Sequence, residues 1–325
     1  MKSSTRTALI VAVVLIIAGA VIIGGLLFTG TSLADLFSFS SGKMETNTWE
    51  ITERFTCVSV TDTVSEIRIV PSETGACSVV CFEDVKMRHV AEVKNGTLAV
   101  RQQDERTWAD HIGVNSQTPT VTVFLPEGLY DALQIRTTTG DVDVSEDFSF
   151  RTLRIEVDTA DVVCLAGANE TAAFITDTGD LRVERAMLQD VTMKTDTGHV
   201  TLDSVSLFGT LEIDSHTGRV DLTDTSCGDL EIVTTTGNVT LTRCRIDGKL
   251  DIETDTGDVL LSASDASEIE IDTDTGDVTG TLLTEKIFFV SSHTGKIDVP
   301  RGMTGGPCEI ETDTGDVKIS FAEQP

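Results

Sequence analysis

Paired aspartates recur along the C-terminal three-fifths of the chain, and they are the side chains best suited to chemistry. The hexapeptide Thr-Asp-Thr-Gly-Asp-Val stands intact at residues 254–259, 273–278 and 312–317. Hard cations prefer carboxylate oxygens, so stacked copies of this motif could bind calcium. The candidate calcium ligands are Asp255, Asp258, Asp274, Asp277, Asp313 and Asp316.

The same aspartates also have a structural interpretation, because a short acidic side chain can accept hydrogen bonds from backbone N–H groups in a turn. The motif lacks the Gly-Gly-x-Gly-x-Asp nonapeptide of calcium-binding β-rolls. Basic residues replace the pair in two copies, at His216 with Arg219 and at His293 with Lys296. These replacements relieve charge repulsion, as a solvated turn requires, so turn capping is favoured and calcium stays the alternative.

Paired carboxylates also suggest acid–base catalysis, as in glycoside hydrolases. Every copy of the motif repeats the pair, however, and none is singled out. After Tyr130 the chain has no Trp or Tyr to form a sugar platform. His199 and His216 lie near neighbouring turns without a third ligand at metal spacing. We therefore predict no catalysis, no cofactor and no small-molecule substrate.

The seven cysteines contain no Cys-x-x-Cys pair, and their odd number leaves at least one free thiol. Cys164 and Cys308 fall on positions that we expect to be buried. Cys227 and Cys244 fall at equivalent bends of neighbouring repeats, which makes them candidates for a disulfide. A second pair could come from the remaining three, Cys57, Cys77 and Cys81.

The glycine of the motif marks a fixed period in which successive copies are 19 or 20 residues apart. A period of this size predicts a solenoid, in which each repeat buries its apolar face against its neighbours. Ala160 fills the one position without glycine. The predicted structural corners are Gly140, Gly179, Gly198, Gly218, Gly237, Gly257, Gly276, Gly295 and Gly315.

Apolar residues fall seven and five places before each corner and two and four places after it, as at Leu250, Ile252, Val259 and Leu261. Spacing by two is the period of a β-strand, so each repeat holds two short strands with one buried face. The fold class is therefore all-β, a β-solenoid of about ten rungs of 19–20 residues. Glycine at the corner is expected for its access to positive φ, which would make Ala160 the most strained corner.

The threonines beside the corner follow the same alternation. Thr254 and Thr256 are in phase with the apolar residues before Gly257, so both are predicted to point inward. Stacked hydroxyl groups could then hydrogen-bond along the solenoid axis. The aspartate between them, Asp255, is predicted to point outward.

The N-terminal sequence predicts a membrane anchor. Lys2 and Arg6 lie in a cytoplasmic stub of residues 1–7, and residues 8–28 carry no charge and are long enough for a transmembrane helix. A cleaved signal peptide ending at residues 32–34 is the alternative. Residues 29–48 form a linker, so we expect a single-pass membrane protein with a cytoplasmic N-terminus and an extracellular C-terminal domain.

The rest of the chain divides into two β-rich parts. Residues 49–126 are irregular and are predicted to form early rungs, or a small β region that caps the open strand edge of the solenoid. Residues 127–325 carry the regular repeats. After the last repeat, Glu323 and Pro325 are the only evident edge protection, so this end is predicted to be a contact surface.

Acidic residues dominate the surface. The formal net charge is −29, and residues 127–325 hold 14 Lys and Arg against 40 Asp and Glu. Such a surface repels phosphates, which excludes nucleic acid as a partner. The wide outward face is predicted to carry Glu212, Asp214, Glu231, Asp251, Glu253, Glu270, Asp272, Glu309 and Glu311.

The order of these features carries a family resemblance. An N-terminal apolar segment is followed by a loose β region ending at residues 124–126 and then by Leu133-Gln-Ile135, Thr139-Gly-Asp-Val142 and their repetitions. Over about residues 51–319 the chain resembles the bacterial putative-adhesin family of unknown function with β-strand repeats. The resemblance implies a single-stranded, membrane-anchored β-solenoid on the surface of a bacterium, and it supplies no catalytic residues.

Together these features predict a non-catalytic cell-surface scaffold, adhesin-like, that displays an acidic β-solenoid outside the membrane. One alternative is an extracytoplasmic regulatory or envelope-stress sensing module, which would need a partner membrane protein because a seven-residue stub cannot signal alone. Another is a structural rod stabilised by calcium. The identity of an envelope or protein partner is open.

Overall fold

The computed structural model describes residues 43–106 and 117–322 of the 325-residue chain. The predicted stub, the membrane helix and residues 29–42 of the predicted linker lie outside the described residues. Residues 44–48 of that predicted linker belong instead to the first strand, Met44–Ile51. Within the described part, no helix has the length and apolarity needed to cross a bilayer. Lys43–Glu105 and Thr118–Pro325 form one compact unit.

All regular structure in the described residues is β-strand. The strands are β1 Met44–Ile51, β2 Cys57–Thr61, β3 Glu66–Pro71, β4 Cys77–Asp84, β5 Met87–Lys94, β6 Thr97–Asp104, β7 Thr120–Leu125, β8 Gly128–Thr137, β9 Val142–Val144, β10 Phe148–Thr159, β11 Val162–Cys164, β12 Gly167–Thr178, β13 Leu181–Glu184, β14 Met187–Thr197, β15 Val200–Asp203, β16 Ser206–Leu207, β17 Thr210–Thr217, β18 Val220–Thr223, β19 Ser226–Cys227, β20 Asp229–Thr236, β21 Val239–Thr242, β22 Arg245–Thr256, β23 Val259–Thr275, β24 Val278–Leu282, β25 Ile287–Ser292, β26 Ile297–Asp298, β27 Pro307–Thr314 and β28 Val317–Phe321.

The strands form a β-solenoid of about ten rungs, as the period predicts. Each rung contributes a strand to a wide sheet before the corner and a shorter strand to a narrow sheet after it. Neighbouring rungs pair in parallel and in register, so that Leu230 of β20 lies beside Leu250 of β22, and Val239 of β21 beside Val259 of β23. The core fills the space between the two sheets.

The predicted alternation of buried and exposed residues is confirmed. Leu250, Ile252, Val259 and Leu261 are at most 1% exposed, and equivalent residues of the other rungs form one continuous apolar core. No rung encloses a core alone, because each apolar layer is covered by the layers on either side.

The glycine corners are required mainly by the close approach of neighbouring backbones. A Cβ on Gly257 would lie 2.0 Å from the carbonyl oxygen of Gly237 in the adjacent rung. Positive φ is found at some corners only, for example 153° at Gly218. Ala160 is not among the described residues with positive φ, so the expectation that it is the most strained corner is not met.

The second bend of each rung carries the left-handed residues instead. Along the regular rungs these are Arg185, Ser204, Asp224, Arg243 and Ala263, with φ between 49° and 59°. Each costs roughly 1–2 kcal/mol relative to glycine, because the Cβ crowds the following carbonyl. The backbone strain in the rungs is therefore placed at the bend that the glycine motif does not mark.

At the N-terminal end, two layers and an antiparallel cap share residues 49–126. Strands β2 and β3 form the layer next to β8 and β9, and β6 and β7 form the layer outside it. Strands β1, β4 and β5 pair antiparallel and lie outermost. The irregular region is thus both early rungs and a cap.

At the C-terminal end, the order of the rungs in space differs from their order in the chain. Strands β27 and β28 pair directly with β23 and β24, while β25 and β26 pair with the outer side of β27 and β28. The last rung in sequence is therefore inserted beneath the preceding one. A buried ion pair fixes the crossing, with Nζ of Lys286 2.6 Å from Oδ1 of Asp265.

The two threonines before each corner do not share one environment. Thr254 is 2% exposed, as predicted, but Thr256 is exposed to solvent. The pairing with both neighbouring rungs skips Asp255, so the alternation breaks between the two threonines. Most inward hydroxyl groups also lack the predicted hydrogen bonds along the axis, whereas Oγ1 of Thr312 donates to the carbonyl oxygen of Gly276 in the adjacent rung at 3.3 Å. Buried hydroxyl oxygens without a partner among the described residues belong to Ser65, Thr137, Thr176, Thr195, Ser215, Thr234, Thr254 and Thr273.

All seven cysteines lie among the described residues and are free thiols. Cys164 and Cys308 are buried, as expected. The proposed partners Cys227 and Cys244 are buried too, and Sγ of Cys244 lies 3.4 Å from the carbonyl oxygen of Leu222 rather than in a disulfide. Burial raises the pKa of Cys227 to about 12, which disfavours the thiolate that disulfide exchange needs.

Candidate functional site

Acidic side chains form two columns on the outer face of the wide sheet. The first runs through five neighbouring strands in register, and the second has one apolar interruption, Val233. The first column is Glu212, Glu231, Asp251, Glu270 and Glu309, and the second is Asp214, Glu253, Asp272 and Glu311. In-register strands are about 4.8 Å apart, so neighbouring carboxylates repel by roughly 1 kcal/mol in water.

One lysine partly neutralises the first column. Nζ of Lys249 lies 2.7 Å from Oδ2 of Asp251 and 2.6 Å from Oε2 of Glu270. Hydrogen bonds to these two carboxylates raise the pKa of Lys249. A primary ammonium group of the chain itself thus bridges the carboxylates of two neighbouring rungs.

The aspartate that follows each corner caps the neighbouring rung. Oδ1 of Asp258 accepts a hydrogen bond from the backbone N–H of Asp277 at 2.9 Å, and Oδ1 of Asp277 accepts one from Asp316 at 2.8 Å. Asn238 does the same for Asp258 at 3.0 Å. This corner ladder satisfies amides that the turn would leave unpaired.

Histidine can take the same place in the ladder. Nδ1 of His199 accepts from the backbone N–H of Arg219 at 3.0 Å. His216 stands before its corner, with Nδ1 3.4 Å from Oγ1 of Thr235. Both rings are therefore engaged with the turns of their own and neighbouring rungs, in keeping with the structural interpretation of these histidines.

The candidate calcium ligands fall into two groups. Asp258, Asp277 and Asp316 belong to the corner ladder. The other three stand before the corner and are exposed, namely Asp255, Asp274 and Asp313. An open groove of about 680 Å³ runs along the corners, and it is lined by the corner glycines and by the ladder residues Asp258, Asp277 and Asp316. The calcium site stays a prediction, and the capping role of the second aspartate is the one for which the structure gives contacts.

A buried polar cluster lies at the N-terminal end of the core. Oδ2 of Asp62 lies 2.5 Å from Nε2 of His89, and Oε2 of Glu83 lies 2.5 Å from Nδ1 of the same ring. All three side chains are at most 1% exposed. The cluster joins the first layer, where Asp62 follows β2, to the capping strands β4 and β5.

The remaining oxygens of the two carboxylates are also hydrogen-bonded. Oδ1 of Asp62 accepts from the backbone N–H groups of Val64 and Ser65, and Oε1 of Glu83 accepts from Nδ2 of Asn47. Burial alone would lower the pKa of His89, but the hydrogen bonds of Asp62 and Glu83 outweigh it and raise that pKa. The pKa of Asp62 is lowered, since the bonds from His89 and Ser65 overcome its burial.

The ligand atoms of Cys81, Glu83 and His89 lie within 4.8 Å of one another, the one such group of three in the described part of the chain. These are residue types that hold zinc. Both ring nitrogens of His89 are already engaged by carboxylates, however, so the contacts are those of a hydrogen-bonded ion cluster. We assign the group as a structural connection between the cap and the first layer.

Sequence reasoning missed this cluster because its three members lie in the irregular region. One signal was present. In register, Asp62 takes the inward position that Thr137 takes in the next rung, since β2 pairs with β8 one residue earlier. A carboxylate at an inward position requires a buried partner, and His89 is that partner.

The chain is similar, at low sequence identity, to solved structures of bacterial proteins. A putative adhesin from Parabacteroides distasonis is 12% identical with a TM-score of 0.44, covering 84% of this chain and 98% of that one. A putative adhesin from Bacteroides fragilis is 13% identical with a TM-score of 0.37, covering 85% and 97%. A putative lipid binding protein from Parabacteroides distasonis is 12% identical with a TM-score of 0.36, covering 87% and 98%.

No curated protein matches the chain. A family model does, over residues 55–320, which is nearly the whole described region and includes both the buried polar cluster and every regular rung. On that match the chain belongs to the Toastrack DUF4097 family.

Proposed function

We propose that this protein is a non-catalytic surface scaffold whose acidic solenoid face binds a basic partner outside the membrane. The observation that carries the proposal is the first acidic column, in which five carboxylates stand on neighbouring strands in register. Charge held at a fixed spacing on a rigid sheet favours a partner with repeated basic groups, because little entropy is lost on binding.

The contact of Lys249 with Asp251 and Glu270 supports this kind of recognition. It shows that an ammonium group can bridge carboxylates of two neighbouring rungs. A partner that presents lysines would repeat the same contact at the unbridged acids, Glu212 and Glu231. A divalent cation between the face and an acidic partner is the second way to neutralise these acids.

The direct test is binding of a decalysine peptide, followed by fluorescence anisotropy at low and at moderate salt. The test variant carries Glu212→Gln, Glu231→Gln and Glu253→Gln, which removes three exposed charges from the two columns. The expected result is a loss of affinity of about tenfold, and weaker binding of the native protein as salt rises.

The matched control removes three exposed charges elsewhere, with Glu50→Gln, Glu73→Gln and Glu127→Gln. It should change the affinity by less than about twofold, because those acids are scattered and distant from the columns. Equal losses of affinity in the two variants would show that the peptide responds to net charge alone. Absence of binding by the native protein would overturn the proposal.

The proposed location follows from the uncharged segment at residues 8–28 and the basic residues before it. Full-length protein with a C-terminal epitope tests it in bacterial cells. The protein should stay in the membrane pellet after carbonate extraction, and protease added to intact cells should remove the epitope. Release by carbonate, or protection of the epitope, would contradict this orientation.

A further inference from the structure

The C-terminal end of the solenoid differs from every other surface of the described protein. The insertion of β27 and β28 leaves β25 and β26 as the outermost strands, each paired on one side only among the described residues. Their free edges carry the unpaired N–H and C=O groups of a sheet that could continue.

Strand β25 has none of the devices that protect an edge. Its sequence is Ile-Phe-Phe-Val-Ser-Ser, without charge or proline, and Phe289 is 57% exposed. The opposite end is different, because the outermost strands β1 and β5 carry charged residues such as Glu45, Arg88 and Lys94. An edge that is long, apolar and uncharged pairs readily with another strand.

Partly buried side chains at this end also lack a covering layer. Phe288, Val290 and Phe321 pack against the core but are only partly covered. Ile297 is 46% exposed beside them. In every interior rung the equivalent apolar residues are covered on both sides, so this end is an unfinished layer of the core.

The charge distribution indicates what can cover it. Residues 283–304 hold two exposed basic residues, Lys296 and Arg301, against two Asp and Glu, since their third basic residue, Lys286, is buried against Asp265. Residues 127–325 as a whole hold 14 Lys and Arg against 40 Asp and Glu. Two copies of this chain therefore repel each other along their sides and lose that repulsion at this end. A second copy of the chain therefore avoids this charge repulsion only when it approaches end-on.

We propose that a second copy of this chain docks end-on through β25, pairing antiparallel with its counterpart about a twofold axis. Such an interface is self-complementary, as a twofold dimer requires. Backbone pairing would continue the wide sheet from one solenoid into the other, and the two incomplete core layers would cover each other.

The pleat fixes the register. Residues directly opposite each other in an antiparallel pair point to the same face. The inward side chain of Phe288 must therefore face an inward residue of the second copy. When the twofold axis passes at Phe289, Phe288 of one copy lies opposite Val290 of the other. The two Phe289 side chains then face each other across the axis on the outer side.

The two cap ends of such a dimer point in opposite directions. The described chain begins at β1, in the cap, so its N-terminal side lies at the far end of each solenoid. With the proposed membrane anchor, the contact would join two membranes rather than two neighbours in one membrane. This last step rests on the proposed function, whereas the end-on pairing does not.

Cysteine crosslinking of the full chain in detergent micelles tests the pairing. Phe289→Cys, in a Cys57→Ser background, should form a disulfide-linked dimer on mild oxidation. Phe208→Cys is the matched control, because Phe208 is 70% exposed on the flank of the solenoid. A dimer with the first variant alone supports the proposal, and equal crosslinking or none overturns it.

A second measurement does not depend on a disulfide. Phe289→Asp places two like charges on the axis and should weaken dimerisation by about tenfold or more, read by native mass spectrometry, while Phe208→Asp should not. Amide exchange in residues 287–292 should be slower at high protein concentration than at low. Slow exchange in a monomer would show that another part of the same chain covers β25, and would overturn the proposal. Neither result depends on binding at the acidic face.

Discussion

Asp62 and His89 meet inside the solenoid, with the carboxylate oxygen 2.5 Å from Nε2 of the ring and neither side chain accessible to solvent. The two residues come from different parts of the end structure, the first layer and the capping strand β5. Their contact is held from the other side by Glu83. The antiparallel cap is therefore attached to the rungs by a buried ion cluster as well as by strand pairing.

This cluster predicts a pH-dependent stability. The pKa of His89 is raised above its ordinary value of 6.5. Its contribution to the free energy of unfolding is therefore fully present below pH 6.5 and is lost as pH rises through the folded-state pKa. The pKa of Asp62 is lowered below 3.8, so its contribution is complete above pH 3.8 and is lost as pH falls through the folded-state value. The free energy of unfolding should therefore fall as pH rises above 6.5.

The measurement is urea unfolding at several pH values between 5 and about 9, a range set by the raised pKa of the histidine. The His89→Asn variant should have a lower free energy of unfolding than the native protein at pH 6. Above pH 6 its free energy of unfolding should fall much less than that of the native protein. His293→Asn is the control, because His293 is exposed at a corner. An unchanged pH profile in His89→Asn would show that the cluster does not titrate in this range.

The buried hydroxyl column predicts a stabilising substitution. The hydroxyl oxygen of Thr234 is buried and has no hydrogen-bond partner in the described structure. Val157 already occupies the same position of another rung and is 3% exposed. Thr234→Val should raise the free energy of unfolding by about 1 kcal/mol, because it removes an unsatisfied buried polar group without changing shape. Thermal unfolding should show no rise for exposed Thr236→Val.

The corner glycines predict a strongly destabilising substitution. Gly257→Ala would place a Cβ 2.0 Å from the carbonyl oxygen of Gly237, so the two rungs must separate locally. The expected loss is about 3 kcal/mol, at the upper end for overpacking. Gly128→Ala is the control, since a Cβ there meets nothing within 4 Å. Equal melting temperatures for the two variants would disprove the close-packing argument.

Substitutions in the corner ladder distinguish a hydrogen-bonding role of its aspartates from calcium binding. Asp258→Asn should retain stability, because Asn238 already performs the same role with its amide oxygen. Asp258→Ala should lose about 0.5–1 kcal/mol, the net value of one hydrogen bond. Circular dichroism melts with calcium and with EDTA complete the test. We expect no shift, whereas a rise of several degrees with calcium that Asp258→Asn abolishes would establish a metal site.

Much of the fold could be predicted from the sequence because the signal repeats. The alternation around Gly257 predicted which residues form the core, and the burial of Leu250 and Val259 confirms it. The same alternation failed at Thr256, which is exposed. Strand alternation holds only while the pairing is regular, and here the pairing with both neighbouring rungs is interrupted at Asp255, before the glycine.

The candidate site was predictable only in part. The acidic columns follow from the rung register, since Glu231 and Asp251 occupy equivalent places of neighbouring repeats. The partners of Asp62 could not be found this way. Glu83 and His89 lie 21 and 27 residues away in strands outside the repeat, and no period relates the three positions.

The sequence by itself determined the rungs, their corners and the apolar residues that face inward, because these depend on local alternation and a fixed period. Only the tertiary structure decided the order of the layers at the two ends. Rungs with the same period can stack in any order, and the period contains no information about which pairs meet. The choice depends on which inward side chains fit together, and so β27 rather than β25 lies against β23 and an uncharged strand is left at the open end.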